Sequence, residues 1–87
     1  FQNYPNPFNP STQISFDVPS AEFITLRVYN LLGQDVKTLS SKTMNPGRYI
    51  FEWDGTDLLN NDVASGVYFY ELRGESFISR KKMLLIR

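Results

Sequence analysis

Between Ala64 and Leu72 the chain reads Ala-Ser-Gly-Val-Tyr-Phe-Tyr-Glu-Leu, and no other stretch constrains the fold so tightly. Ala-Ser-Gly breaks the incoming loop. β-Branched and aromatic side chains then follow without a gap, which suits a strand covered at least partly on both faces. A central strand is expected here, with the other segments arranged around it.

The segments on either side alternate with the period of strands. From Thr12 to Val18, Ile14, Phe16 and Val18 share one face and Gln13, Ser15 and Asp17 the other, and Pro19-Ser20 ends the run. Glu22 to Asn30 repeats this, with Ile24, Leu26 and Val28 inward and Thr25, Arg27 and Tyr29 toward water. Asn30 to Gln34 reads as a tight hairpin loop in which Gly33 supplies the positive φ of a type I turn with a bulge. A third strand is expected over Asp35 to Leu39, followed by a polar connection that turns at Asn45-Pro46-Gly47.

A fourth strand over Arg48 to Trp53 puts Tyr49, Phe51 and Trp53 on one face. Trp53 reads as a core anchor. Its alternative role, stacking on a sugar, requires an exposed ring. After the central strand, Arg73 to Ser76 form a turn and Phe77 to Ile86 a last strand, with Met83 to Ile86 expected to be covered on both sides. About seven short strands separated by turn signals predict an all-β, immunoglobulin-like antiparallel sandwich. Residues 1–10 carry three prolines at near-alternate positions, which forbid a helix. They are expected to be a lead-in whose Phe8 docks on the domain formed by residues 11–87.

With 87 residues the chain is one domain with a modest core. Nine Lys+Arg balance nine Asp+Glu, so it lacks the basic excess with which a protein draws in a phosphate backbone. Nucleic acid is not an expected partner. No apolar run approaches the roughly 20 residues that span a bilayer, and no secretory signal stands at the start of this sequence. An export address, if there is one, is expected to belong to a longer parent.

Histidine and cysteine are both absent. The commonest general base, the thiolate nucleophile and the usual transition-metal ligands are therefore missing together. No catalytic residue, cofactor or metal site is expected. Asp54, Asp57 and Asp62 share one loop, whereas a glycosidase needs carboxylates on opposing walls of a cleft. The loop also lacks the spacing and terminal Glu of an EF-hand, and turn-forming Asx residues explain it better than calcium does. Arg80-Lys81-Lys82 is a short basic cluster with two compatible readings, a charged guard against edge pairing and a docking patch.

A resemblance extends over nearly the whole chain. Its pieces are Tyr4-Pro-Asn-Pro-Phe8, Val28-Tyr-Asn-Leu-Leu-Gly-Gln34 with Val36, Pro46-Gly47, Trp53-Asp-Gly55, Ala64-Ser-Gly-Val-Tyr-Phe-Tyr70 with Leu72, and Lys81-Lys-Met-Leu-Leu85. In this order they resemble the type A C-terminal sorting domain of the Por, or type IX, secretion system. That domain is related in fold to the immunoglobulin-like domain of the flagellar hook-capping protein. One departure is Asn60-Asn61, where a glycine is frequent in the family, so Asn61 is expected to take any left-handed conformation.

The resemblance implies a non-catalytic module, covalently part of a larger cargo protein. The cargo would pass through the periplasm and reach the cell surface or the medium. Its implied partners are the outer-membrane translocation machinery and a cell-surface sortase-like peptidase. Partner recognition is carried over by matching to Pro46, Gly47, Gly66, Tyr68, Lys81, Lys82, Met83, Leu84 and Leu85. Gly66 and Tyr68 also have structural roles, so substitutions there could stop export simply by unfolding the domain. The final strand and the Pro46-Gly47 turn are expected to adjoin and form one partner-facing surface. The alternative function is an immunoglobulin-like accessory module that spaces a neighbouring enzyme or binds carbohydrate through exposed rings.

Overall fold

The computed structural model describes residues 11–86. Six antiparallel strands follow one another: β1 (Thr12–Val18), β2 (Glu22–Asn30), β3 (Asp35–Met44), β4 (Gly47–Trp53), β5 (Gly66–Arg73) and β6 (Ile78–Leu85). β1 pairs with β4 in one sheet, and the other has the order β3-β2-β5-β6. β5 is thus central, as its sequence predicts, and β6 is an edge among the described residues. No described helix is long and apolar enough to cross a membrane. The expected docking of residues 1–10 lies outside the described residues.

The two sheets close over one core. Ile14, Val18 and Trp53 face it from the smaller sheet, and Ile24, Leu26, Val28, Val36, Met44, Tyr68, Leu72, Met83 and Leu85 from the larger. The alternation read in β1, β2 and β4 appears as inward rows, and Phe16 stacks between Tyr49 and Phe51 at 5.8 Å from each. Trp53 is wholly buried, which removes the exposed ring a sugar platform requires.

β3 runs five residues beyond its expected end at Leu39. Register shifts between Leu26 and Arg27 and between Val28 and Tyr29 each insert an extra β3 residue. Its buried positions, Val36, Ser40 and Met44, fall four apart with Thr38 and Lys42 exposed between them, so the alternation of a half-buried strand is lost. The Asn30–Gln34 loop forms as expected. Gly33 lies at φ 80°, its N–H donates to Asn30 O at 2.9 Å, and the Asn30 side chain accepts from Leu32 N and Gln34 N.

At the opposite end, Glu22 ties the β5–β6 turn to the start of β2. Its carboxylate accepts from Ser76 N at 3.0 Å, from Ser76 Oγ and from Ser20 Oγ. The Ser76 N–H bond does most to hold the Glu22 carboxyl below its usual 4.5, against the opposing effect of burial. The turn packs closely there. A Cβ on Gly74 would lie 2.5 Å from Glu22 Oε1, 2.8 Å from the Phe77 ring and 3.0 Å from Ile24 Cδ1.

Gly74→Ala is therefore expected to destabilise the domain by about 1–3 kcal/mol, as overpacking does. The urea midpoint checks this, and an unchanged midpoint would show that the turn can yield.

Candidate functional site

The β5–β6 pairing brings together most of the residues carried over as recognition positions. Gly66 opposes Leu85, Tyr68 opposes Met83, and Phe69 and Tyr70 oppose Lys82 and Lys81. Gly66 sits at φ 153°, a backbone that side chains rarely adopt, just where the chain turns into β5. Tyr68 packs edge-on against Trp53 with ring centroids 5.1 Å apart, and its hydroxyl donates to Ala64 O at 2.7 Å. This is the geometry of a tyrosine corner, which locks the start of a central strand to the loop before it. Trp53 Nε1 likewise donates to Thr56 O at 2.9 Å, so two buried rings fix both ends of the β4–β5 connection.

Along β6 the alternation of strand side chains divides the terminal segment. Met83 and Leu85 are buried in the core, while Leu84 is 60% exposed on the outer face. The expectation that Met83 to Ile86 are covered on both sides is corrected: Leu84 and Ile86 face solvent because β6 has a covering layer on one side only. Lys82 falls on the outer face with Leu84, whereas Lys81 falls on the core side but is exposed at the sheet margin. Arg80-Lys81-Lys82 is thus two surfaces, not one patch.

Pro46 and Gly47 lie elsewhere. They follow β3, at the edge opposite β6, and Gly47 pairs with Val18 at the end where β2 begins. Leu85 pairs with Gly66 at the other end. The expected surface formed by the final strand with an adjoining Pro46-Gly47 turn is corrected on this ground. Two strands lie between the β3 edge and β6, and Leu84 and Leu85 fall at the opposite end of the sheet.

The Asp54–Asp62 loop is organised by its own turn chemistry. Asp57 Oδ1 accepts from Leu59 N and Asn61 N, Thr56 bridges to Asp62, and Asn60 takes the left-handed backbone at φ 64°. The left-handed residue is therefore Asn60, not Asn61, because the Asp57 N–H bonds Asn61 O and leaves Asn60 at the reversal. Lys37 Nζ reaches into the loop, 2.6 Å from Thr56 Oγ1, 3.2 Å from Asn60 Oδ1 and 3.8 Å from Asp54 Oδ1. An ammonium thus sits among the oxygens that raised the calcium question. No group of three His, Cys, Asp or Glu among the described residues is placed to hold a metal ion.

The most strongly charged constellation is on the outer face of the larger sheet, and sequence reading missed it. Glu71, with its side chain only 5% exposed, bonds Arg27 at 3.3 Å, Arg73 at 3.3 Å and Arg80 at 2.9 Å. Burial pushes its carboxyl up, but the hydrogen bonds from Arg80 and Arg73 and the charges of Arg73 and Arg27 outweigh this and hold it below 4.5. The signal was a lone charge inside the most apolar strand, which has to be paired if its side is covered. Beside this cluster Tyr29 and Phe69 stack on each other at 5.6 Å.

The sequence matches the family described as FlgD Ig-like domain over residues 5–76. Among solved structures, FlgD from P. aeruginosa superposes with a TM-score of 0.69 at 20% identity, over 94% of this chain and 64% of that one. FlgD from Xanthomonas campestris gives 0.59 at 26% identity, over 86% and 55%. This chain spans less than two thirds of either. No curated protein matches it.

A carboxyl held below 4.5 in the folded chain adds stability that is fully present above that value and is lost as pH falls through the folded value. Glu71→Gln is accordingly expected to cost about 1–3 kcal/mol at pH 7, with the gap to the parent narrowing in acid. Urea titrations at several pH values check this. A gap independent of pH would mean that the charge of Glu71 plays no part.

Proposed function

This chain belongs to the FlgD Ig-like domain family, and we propose that it is a non-catalytic C-terminal sorting domain of type A. In this role it directs a larger exported protein across the outer membrane through the type IX secretion system. One observation carries the reading: Lys81 to Leu85, the last piece of the sorting-domain resemblance, lies in an edge strand among the described residues. An edge of this kind can add to a partner's sheet through its backbone, while exposed side chains set specificity. Lys82 and Leu84 are the exposed pair on the outer face, and Met83 and Leu85 anchor the strand to the core. Gly66 and Tyr68 hold the neighbouring strand in register and support the edge from behind. Pro46 and Gly47 would belong to a second contact at the far end.

The parent would be read in the periplasm by the outer-membrane translocation machinery and delivered to the surface or the medium. A sortase-like peptidase at the cell surface would then be the second partner. No cofactor enters this mechanism, since recognition needs only a folded surface.

A second reading follows from the family. The Xanthomonas relative is described in terms of the hook capping essential for flagellar assembly, and on that model the chain would be one part of a capping scaffold. The carbohydrate-binding alternative is not favoured: Trp53 and Tyr68 are buried, and Tyr29 and Tyr49 belong to different sheets, so these rings form no row.

Fusing residues 1–87 to a periplasmic reporter in a host with a type IX system is expected to bring the reporter to the surface. Replacing Lys81 and Lys82 with Gln should reduce display several-fold while circular dichroism remains unchanged. A folded fusion that stays in the periplasm would contradict the sorting role. Restoration of motility by this chain, in place of the corresponding domain of a hook-capping protein, would favour the second reading.

A further inference from the structure

The outer face of the larger sheet is built from cross-strand rows. Starting at the Gly66 end these are Val67 with Leu84, then Tyr29, Phe69 and Lys82, then Arg27, Glu71 and Arg80, then Thr25, Arg73 and Ile78. Arg27, Arg73, Arg80 and Lys82 face two carboxylates, Glu71 and Asp35. The face therefore carries an excess of positive charge, although the whole chain is neutral.

That excess is available to a ligand. Arg73 and Arg80 each bind Glu71 through Nε, and their side chains are 50% and 57% exposed. The terminal nitrogens of both guanidinium groups have no hydrogen-bond partner among the described residues. Glu71 holds the two forks in place, which lowers the entropy lost when a further anion binds them. A depression of about 230 Å³ opens on the Arg80 side of the cluster, lined by Arg27, Tyr29, Gly33, Asp35, Glu71 and Arg80.

We propose that this face docks an acidic segment of a partner protein, with a carboxylate on the Arg73 and Arg80 forks and an apolar side chain against the Tyr29–Phe69 ledge. Guanidinium groups match carboxylates in two-pronged geometry, and arginine and aromatic residues are enriched at protein interfaces. Leu84, 60% exposed, and Ile78, 50% exposed, flank the cationic rows, so the ligand that complements the face combines negative charge with hydrocarbon. A peptide does so. A polyanion without apolar groups leaves those side chains uncovered. The proposal goes beyond the sorting role and holds whatever the parent protein is.

The test is a titration of the nitrogen-15-labelled chain with an end-capped peptide of alternating Glu and Leu, followed by amide chemical shifts. Saturable shifts confined to Phe69, Arg73, Arg80 and Lys82 and their neighbours are expected, weakening as salt is raised. Arg73→Gln and Arg80→Gln should each lower affinity about tenfold or more, the loss of one charge-assisted hydrogen bond. Lys82→Gln, which leaves the Glu71 cluster intact, should lower it several-fold and guards against misreading a folding defect. Arg48→Gln, on the other sheet, should leave it unchanged.

The proposal is overturned if the peptide does not saturate, or if its Gln-for-Glu counterpart binds equally well. It is equally overturned if Arg73→Gln and Lys82→Gln bind like the parent, or if polygalacturonate produces the shifts and the peptide does not.

Discussion

The contact between Trp53 and Tyr68 joins what would otherwise be two separate sheets. Trp53 ends β4, which pairs only with β1, and Tyr68 lies near the start of β5, the central strand of the larger sheet. A two-stranded sheet is not stable alone, so β1 and β4 depend on packing against the other layer. Each ring also donates a hydrogen bond to the backbone of the intervening loop, at Thr56 O and Ala64 O. Burying their polar ends therefore leaves no donor unpaired, and among the described residues no buried side-chain polar atom lacks a partner.

This arrangement separates the parts that hold the fold from the parts free to bind. The rings of β4 and β5 that face the core are occupied by packing. The outer face of β5 instead carries Phe69 and Glu71, whose neighbours come from β2 and β6. Glu71 pairs with three arginines from three strands, and β6 presents Lys82 and Leu84 at the margin. A rigid, rimmed surface of this kind costs little to order on binding.

Much of this was legible in the sequence. The alternation in β1, β2 and β4, the loop glycine Gly33, the burial of Trp53 and the central position of β5 all follow from local patterns of period two or from turn chemistry. β3 escaped because two bulges break its period and polar Ser41, Lys42 and Thr43 occupy its exposed positions, so its end looked like a loop. Leu84 and Ile86 looked buried because hydropathy does not reveal that a strand lies at an edge. Glu71 lies 44 positions from Arg27 in the sequence, and only strand register brings the cluster together. Pro46-Gly47 was assigned to the β6 surface because a motif gives the order of residues along the chain and not the edge of the sheet on which each falls.

The most direct measurement is native-state hydrogen exchange on the uniformly labelled chain, since it reads which backbone groups have a neighbour. A scaffold strand flanked on both sides and a docking strand open on one side predict different patterns. The amides of β5 from Tyr68 to Arg73, which pair on both sides, should all be protected, while those of β6 should alternate between slow exchange toward β5 and fast exchange at the free edge. Unbroken protection along Ile78–Leu85 would mean that the edge is already covered, and would contradict the account.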